Sequence, residues 1–287
     1  MSRKAGRSST PKLSLATSGA LRNDDYSMTE PPFHRFRGAG ALGGAPNGLL
    51  FVCDHAANAV PEGYSLGLEA GLLASHIAYD IGAAAVTRDL AARFAAPAIL
   101  GAWSRLVIDL NRGEDDPTLV MKLSDGSVIP GNRGAGPDEI AHRINIFHAP
   151  YHAAIAAEIA AREALGQVPV LISIHSFTPV WKGHKRKWQV SVLSDRDRRL
   201  ADPLLARLSA AGLTAGDNEP YAGGTEGATL DRHGTALGLP HVLIEIRQDL
   251  VADDKRATAF AARLAPILTA ALADMGPPER RQKTHSS

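Results

Sequence analysis

Three stretches of the chain run through consecutive apolar residues and carry an ionisable side chain at or near their end. They are 48–55 (Gly-Leu-Leu-Phe-Val-Cys-Asp-His), 168–179 (Val-Pro-Val-Leu-Ile-Ser-Ile-His-Ser-Phe-Thr-Pro) and 240–247 (Pro-His-Val-Leu-Ile-Glu-Ile-Arg). Unbroken runs of this length, rich in β-branched residues and flanked by Gly or Pro, read as strands buried on both faces. Between them the period changes. Over 69–95, Leu72, Leu73, Ile77, Ile81, Ala84, Leu90 and Phe94 recur at helical spacing, which predicts a helix broken near Gly82. Short strands are predicted over 98–101 and 105–110, then a loop over 113–136. Pro137-Asp-Glu opens an alanine-rich helix reaching 165. A strand over 189–193, a helix over 198–213, a glycine-rich loop over 223–238 and a last helix over 255–272 complete the pattern. Alternating strands and helices predict an α/β domain with a mainly parallel sheet.

With 287 residues, 45% of them hydrophobic, the chain is long enough for one sizeable core. A single domain is expected over 45–275, between disordered tails at 1–44 and 276–287. The first 22 residues carry Arg3, Lys4, Arg7, Lys12 and Arg22 without an acid, and Met28 offers a second start. A formal net charge of +1 calls for neither nucleic acid nor a membrane surface and points to a small substrate. No stretch has the roughly 18 consecutive apolar residues of a membrane span. The basic loop 181–188 reads as a solvated face or the rim of an anionic ligand site. The only cysteine, Cys53, excludes an intramolecular disulfide and a cysteine-built zinc site, and a cytoplasmic protein is expected. The sequence leaves the oligomeric state open.

Ligands of open α/β sheets gather at the carboxyl ends of the strands, where His55, His175 and Glu245 would meet. Two histidines from separate strands suit a catalytic metal centre, which needs three protein ligands and an open position. Asp80 or Asn58 would supply the third ligand, and the carboxylate is the stronger donor for a divalent ion. Glu245, in Val-Leu-Ile-Glu-Ile-Arg, must be paired or hold its proton tightly. Arg247 lies on the same sheet face, so the alternatives are a buried Glu–Arg pair or a general base beside activated water. Arg105 and the Asn111-Arg112 pair offer planar donors to a substrate carboxylate.

The motifs Cys-Asp-His55-Ala-Ala-Asn-Ala-Val-Pro, His76-Ile-Ala-Tyr-Asp80-Ile-Gly, Arg105-Leu-Val-Ile-Asp-Leu-Asn111-Arg112, Phe147-His-Ala-Pro-Tyr151-His, Ser-Ile-His175-Ser-Phe-Thr, Asn218-Glu-Pro-Tyr221, Asp231-Arg-His233-Gly and Ile-Glu245-Ile-Arg247-Gln-Asp follow one another over 48–272. In this order they resemble the N-formylglutamate amidohydrolase family and, through it, the zinc carboxypeptidase and aspartoacylase hydrolases. The resemblance implies a phosphorylase/hydrolase-like three-layer α/β/α fold with a mainly parallel mixed sheet. It also implies a Zn2+ enzyme, or one using another divalent metal, in amino-acid catabolism. Such an enzyme removes formyl or a similar small acyl group from an N-acyl acidic amino acid such as N-formylglutamate. His55 and His175 would then be metal ligands, Glu245 the general base and acid, and Asn111 with Arg112 the carboxylate clamp. Tyr221, His233 and Arg247 would line the site, with Arg105, Arg247 or His233 steadying the oxyanion. Asn58 stands where carboxypeptidase-like enzymes place a glutamate. Two rival readings are a related zinc hydrolase of peptides or larger N-acyl amino acids, and a non-catalytic ligand-binding relative.

Overall fold

The apolar runs are strands, and they form the middle of one sheet. In a computed structural model of the chain, residues 30–38 and 48–281 are described. Strands β1 (Phe33–Arg37), β2 (Leu49–Cys53) and β3 (Pro97–Gly101) are followed by two hairpins and four longer-range strands. The hairpins are β4 (Leu123–Ser124) with β5 (Ser127–Val128), and β7 (Val180–Trp181) with β8 (His184–Lys185). The remaining strands are β6 (Val170–Phe177), β9 (Val190–Leu193), β10 (Ala215–Asp217) and β11 (His241–Arg247). The main sheet has the order β1-β3-β2-β6-β11-β9-β10. β3, β2, β6 and β11 run parallel, β1 and β9 pair antiparallel with β3 and β11, and β10 is parallel to β9. All residues of β2, β3, β6 and β9 are buried, as continuous apolar runs require.

Helices cover both faces. They are α1 (Ala70–Leu73), α2 (Ala83–Arg93), α3 (Pro137–Arg143), α4 (Ala149–Glu163), α5 (Ala201–Ala210), α6 (Thr229–His233) and α7 (Asp254–Met275). On one face α2, α5 and α7 pack over Phe51, Ile172, Val192 and Ile244 and form the main core. On the other, α4 and α6 lean against β2, β3, β6 and β11. The result is the expected three-layer α/β/α arrangement. By length and composition α7 would suit a membrane span, yet Leu264, Ile267, Leu268 and Ala271 are buried in that core. Burying each such leucine or isoleucine contributes about 1.5–3 kcal/mol.

Several local expectations differ from the structure. Phe33–Arg37, within the tail expected at 1–44, is an edge strand, and the compact unit begins at Pro32. At the other end, the Arg281 N–H donates to the Gly238 carbonyl at 2.8 Å, inside the tail expected at 276–287. The remaining tail residues, with their basic cluster and Met28, lie outside the described residues. The helix expected over 69–95 is two helices with a non-helical stretch at 74–82. The break falls at Gly82, whose φ is +80° and where a Cβ would come within 2.1 Å of the Val251 carbonyl oxygen. Residues 105–110 form turns. Their backbone groups are taken by other partners: Arg105 N–H by the Ala78 carbonyl, Leu106 C=O by Asn132 Nδ2, and Val107 C=O by Arg143 Nη1. The loop expected over 223–238 contains α6.

Candidate metal centre and active-site cavity

Because β2 stops at Cys53, Asp54 and His55 follow at the carboxyl end of the sheet, both buried. Next to them β6 carries His175, and β11 carries Glu245 directly opposite His175 in the parallel ladder. Asp80 arrives from the 74–82 stretch, anchored by its own N–H to the His55 carbonyl at 2.9 Å.

His55 Nδ1 lies 3.4 Å and His175 Nδ1 2.8 Å from the same oxygen, Asp80 Oδ2. The other ring nitrogens also meet carboxylates: His55 Nε2 is 2.7 Å from Asp109 Oδ1, and His175 Nε2 is 3.0 Å from Asp54 Oδ2. A carboxylate only accepts, so a neutral imidazole that gives its Nε2 hydrogen to the acid behind it has an Nδ1 lone pair facing Asp80. Such an arrangement needs positive charge between the Nδ1 atoms and the Asp80 oxygen, either added protons or a cation. Donor atoms of His55, Asp80 and His175 lie within 4.8 Å of one another, a spacing that metal bonds of about 2.0–2.2 Å can close. Two imidazoles and a carboxylate are a catalytic zinc donor set, and carboxylates behind both histidines are what such ligands use for orientation. The residues therefore fit a divalent ion. Asn58 takes no part: its Nδ2 donates to the Leu73 carbonyl at 2.9 Å.

The orienting acids are themselves held. Asp54 Oδ1 accepts from Tyr151 Oη at 2.8 Å and Thr229 Oγ1 at 2.6 Å, while Asp109 accepts from Arg105 Nη2 at 2.6 Å and the Asn111 N–H at 3.0 Å. Burial opposes ionisation of Asp54, yet hydrogen bonding and charge from His175 bring its pKa down to about 2. Asp109 stays well below the ordinary carboxylate range against the same burial, through Arg105 and His55. Burial also opposes charging His175, but Asp54 and Asp80 raise its pKa well above the usual histidine value.

Glu245 behaves in the opposite sense. Burial, opposed by His175 and reinforced by the charge of Asp80, pushes its pKa from 4.5 up to about 7. Its Oε2 has no hydrogen-bond partner among the described residues. The buried Glu–Arg pair is not formed, because Arg247 turns to Asp249 Oδ1 at 2.7 Å and to carbonyls of the 186–188 loop.

His55, Asp80, His175 and Glu245 open into a cavity of about 610 Å³ whose wall also includes Arg105, Asn111, Arg112 and Tyr221. Neither Arg247 nor His233 is among its lining residues. His233 instead sits behind the wall, its Nε2 3.0 Å from His152 Nδ1, and His152 in turn is 3.2 Å from His148 Nε2. Burial and the nearby Arg232 bring the His233 pKa down to about 4. Placement beside Asp231 in one motif said nothing about the side toward which the imidazole turns. In the basic loop, Arg186 is buried and stacks on Phe177, Trp181 and Tyr221, donating to Tyr221 Oη at 3.0 Å. Lys182, Lys185 and Lys187 remain exposed. Asp54, Asp109 and Arg186 are the neighbours of the candidate site that sequence reasoning missed. The two acids stood inside the motifs, next to or a few residues from assigned groups. Cys53 is buried in the core, and burial raises its pKa well above the ordinary thiol value.

The model of a protein family described as N-formylglutamate amidohydrolase matches residues 47–252. A crystal structure of a gene product from Agrobacterium tumefaciens is 37% identical, with TM-score 0.80, covering 86% of this chain and 96% of that one. The structure of an N-formylglutamate amidohydrolase from Ralstonia eutropha is 19% identical, with TM-score 0.58, covering 85% of this chain and 100% of that one; this likeness is one of fold. No curated protein matches the chain.

Proposed function

Because the chain belongs to the N-formylglutamate amidohydrolase family, we propose that it is a metal-dependent amidohydrolase, with zinc the first candidate metal. It would remove formyl or a similar small acyl group from an N-acyl acidic amino acid such as N-formylglutamate. One observation carries the reading: two imidazole Nδ1 atoms and a carboxylate converge beside a buried glutamate whose Oε2 has no partner among the described residues.

In this reading His55 Nδ1, His175 Nδ1 and Asp80 hold the ion. When bound, the ion supplies Lewis acidity, acidifying water and polarising the acyl carbonyl. Glu245 Oε2 accepts the proton of the attacking water and returns it to the leaving nitrogen, a task suited to a carboxylate with a raised pKa. Arg105, fixed by Asp109 and 3.8 Å from Asp80 Oδ1, brings a permanent cation to the wall where negative charge grows on the carbonyl oxygen. Arg112 offers its guanidinium to the substrate carboxylate. Asn111 Oδ1 is committed to the Thr229 N–H, leaving its amide hydrogens for the same carboxylate. Tyr221, steadied by Arg186, completes the wall. In this reading the substrate is a small acidic molecule and the enzyme works in the cytoplasm.

The test is formate release from N-formylglutamate and N-formylleucine by zinc-loaded protein. The reading expects turnover of the acidic substrate with at least a tenfold preference in kcat/KM. No formate from either substrate overturns it.

A further inference from the structure

Three buried histidines stand outside the cavity and take no part in the hydrolysis. His148 immediately precedes α4, His152 lies in its first turn, and His233 ends α6. His148 and His152 aim their Nε2 atoms at one short segment. His152 Nε2 is 3.0 Å from the Leu110 carbonyl oxygen, and His148 Nε2 is 2.9 Å from that of Arg112. Asn111 lies between those two carbonyls, and Asn111 with Arg112 is the pair that faces the substrate carboxylate.

Residues 110–112 belong to no strand or helix, and neither carbonyl accepts from a backbone N–H among the described residues. Thr229 Oγ1 comes within 3.3 Å of the Leu110 oxygen, but its one hydrogen goes to Asp54 Oδ1 at 2.6 Å. The imidazoles thus supply the donors that a strand ladder would otherwise give. A peptide unit is planar, so a bond at one of its groups restrains the whole unit. The unit joining Leu110 to Asn111 is held at both edges, its oxygen by His152 and its N–H by Asp109 Oδ1 at 3.0 Å. The unit that follows Arg112 is held by His148. The Cα atoms of Asn111 and Arg112 therefore sit between two fixed planes. Among the described residues the Arg112 guanidinium has one ion pair, a loose one with Asp116 at 3.6 Å, so its place at the cavity is set by its backbone.

A carbonyl oxygen only accepts, so both Nε2 atoms carry hydrogen, and their mutual 3.2 Å approach is a contact between two donors. His152 is neutral, because burial and the neighbouring His148 and His233 bring its pKa down to about 2. Its Nδ1 is then an acceptor, and His233 Nε2, 3.0 Å away, is the donor. We propose that His152 and His148 are positioning residues for the Asn111–Arg112 carboxylate clamp, and that His233 holds His152 in the tautomer this requires. The role rests on the reading of Asn111 and Arg112 as that clamp.

Formate assays on N-formylglutamate and calorimetry with glutamate, both on zinc-loaded protein, test the role. His152→Leu removes the donor, whereas His152→Gln returns an N–H close to the place of Nε2. His152→Leu should raise KM and the glutamate Kd at least tenfold, with kcat within threefold of wild type, and His152→Gln should recover most of the loss. In an Arg112→Leu background His152→Leu should cost less than a further threefold, because the group it positions is gone. A loss that stays tenfold in that background, or that His152→Gln fails to repair, is the mark of a structural residue and overturns the proposal. Nitrogen–proton correlation spectra of the wild-type histidines need no variant: His152 should carry hydrogen on Nε2 and not on Nδ1 at neutral pH, and the opposite tautomer overturns the proposal. Formate release with KM and kcat unchanged in His152→Leu overturns the positioning role and leaves the amidohydrolase reading standing. Glutamate binding that weakens tenfold in His152→Leu and no further in the double variant than in Arg112→Leu, without formate from any substrate, upholds the positioning role and overturns that reading.

Discussion

Glu245 stands directly across the β6–β11 ladder from His175, so a buried acid with a raised pKa and a metal-type imidazole face the same cavity from adjacent strands. Neither residue can shift without disturbing a parallel ladder at the centre of the sheet. Glu245→Gln keeps the shape and removes the proton acceptor. It should lower kcat by about 10²–10⁴-fold while one metal ion per chain is retained, as elemental analysis would read. Wild-type turnover in this variant contradicts the assigned role.

The same residue sets a pH dependence. A general base works ionised, so kcat/KM should rise with pH along a limb governed by Glu245. The pKa of that limb should lie between 4.5 and about 7, because a bound cation favours the carboxylate and draws it below the upper figure. In Glu245→Gln any residual activity should lack this limb.

Asp54 and Asp109 hold the two histidines from behind. Asp54→Asn and Asp109→Asn should each weaken metal affinity by about 10–100-fold in a chelator competition, with the fold retained by circular dichroism. Affinity equal to wild type in both would mean that the ring orientation does not depend on them.

Acid should also act through Asp54. Its folded pKa, about 2, lies below the ordinary aspartate value of 3.8, so its contribution to stability is present above pH 3.8 and is lost as pH falls through 2. In urea melts between pH 5 and pH 2, Asp54→Asn should show a shallower loss of stability than the wild type.

Asn58 and Asp80 give a paired control. Asn58→Ala loses a hydrogen bond to the Leu73 carbonyl and should cost about 1 kcal/mol of stability with unchanged metal affinity. Asp80→Asn should lose most of the metal. The reverse pattern would make Asn58 the ligand.

The buried strands were legible because 48–55, 168–179 and 240–247 carry apolar residues without alternation, and such runs have few other solutions. Their ionisable ends were legible for the same reason: His55, His175 and Glu245 interrupt those runs. What surrounds them was harder to read. Asp54 and Asp109 sit within a few residues of assigned groups, but which ring nitrogen each meets depends on contacts 121 and 54 residues apart in sequence. Arg247 shares a sheet face with Glu245, yet its long side chain reaches Asp249 and the loop carbonyls instead. Residues 105–110 look like a strand until Asn132 and Arg143, from later in the chain, claim their carbonyls. Phe33–Arg37 is a short edge strand with no regular alternation, and its partners in β3 lie sixty or more residues away in sequence.

The most direct measurement is an anomalous-scattering map from crystals of zinc-loaded protein. A single zinc peak within about 2.0–2.2 Å of His55 Nδ1, His175 Nδ1 and an Asp80 oxygen, beside Glu245, is the predicted result. A zinc-loaded crystal whose anomalous peaks all lie away from these three side chains would contradict it.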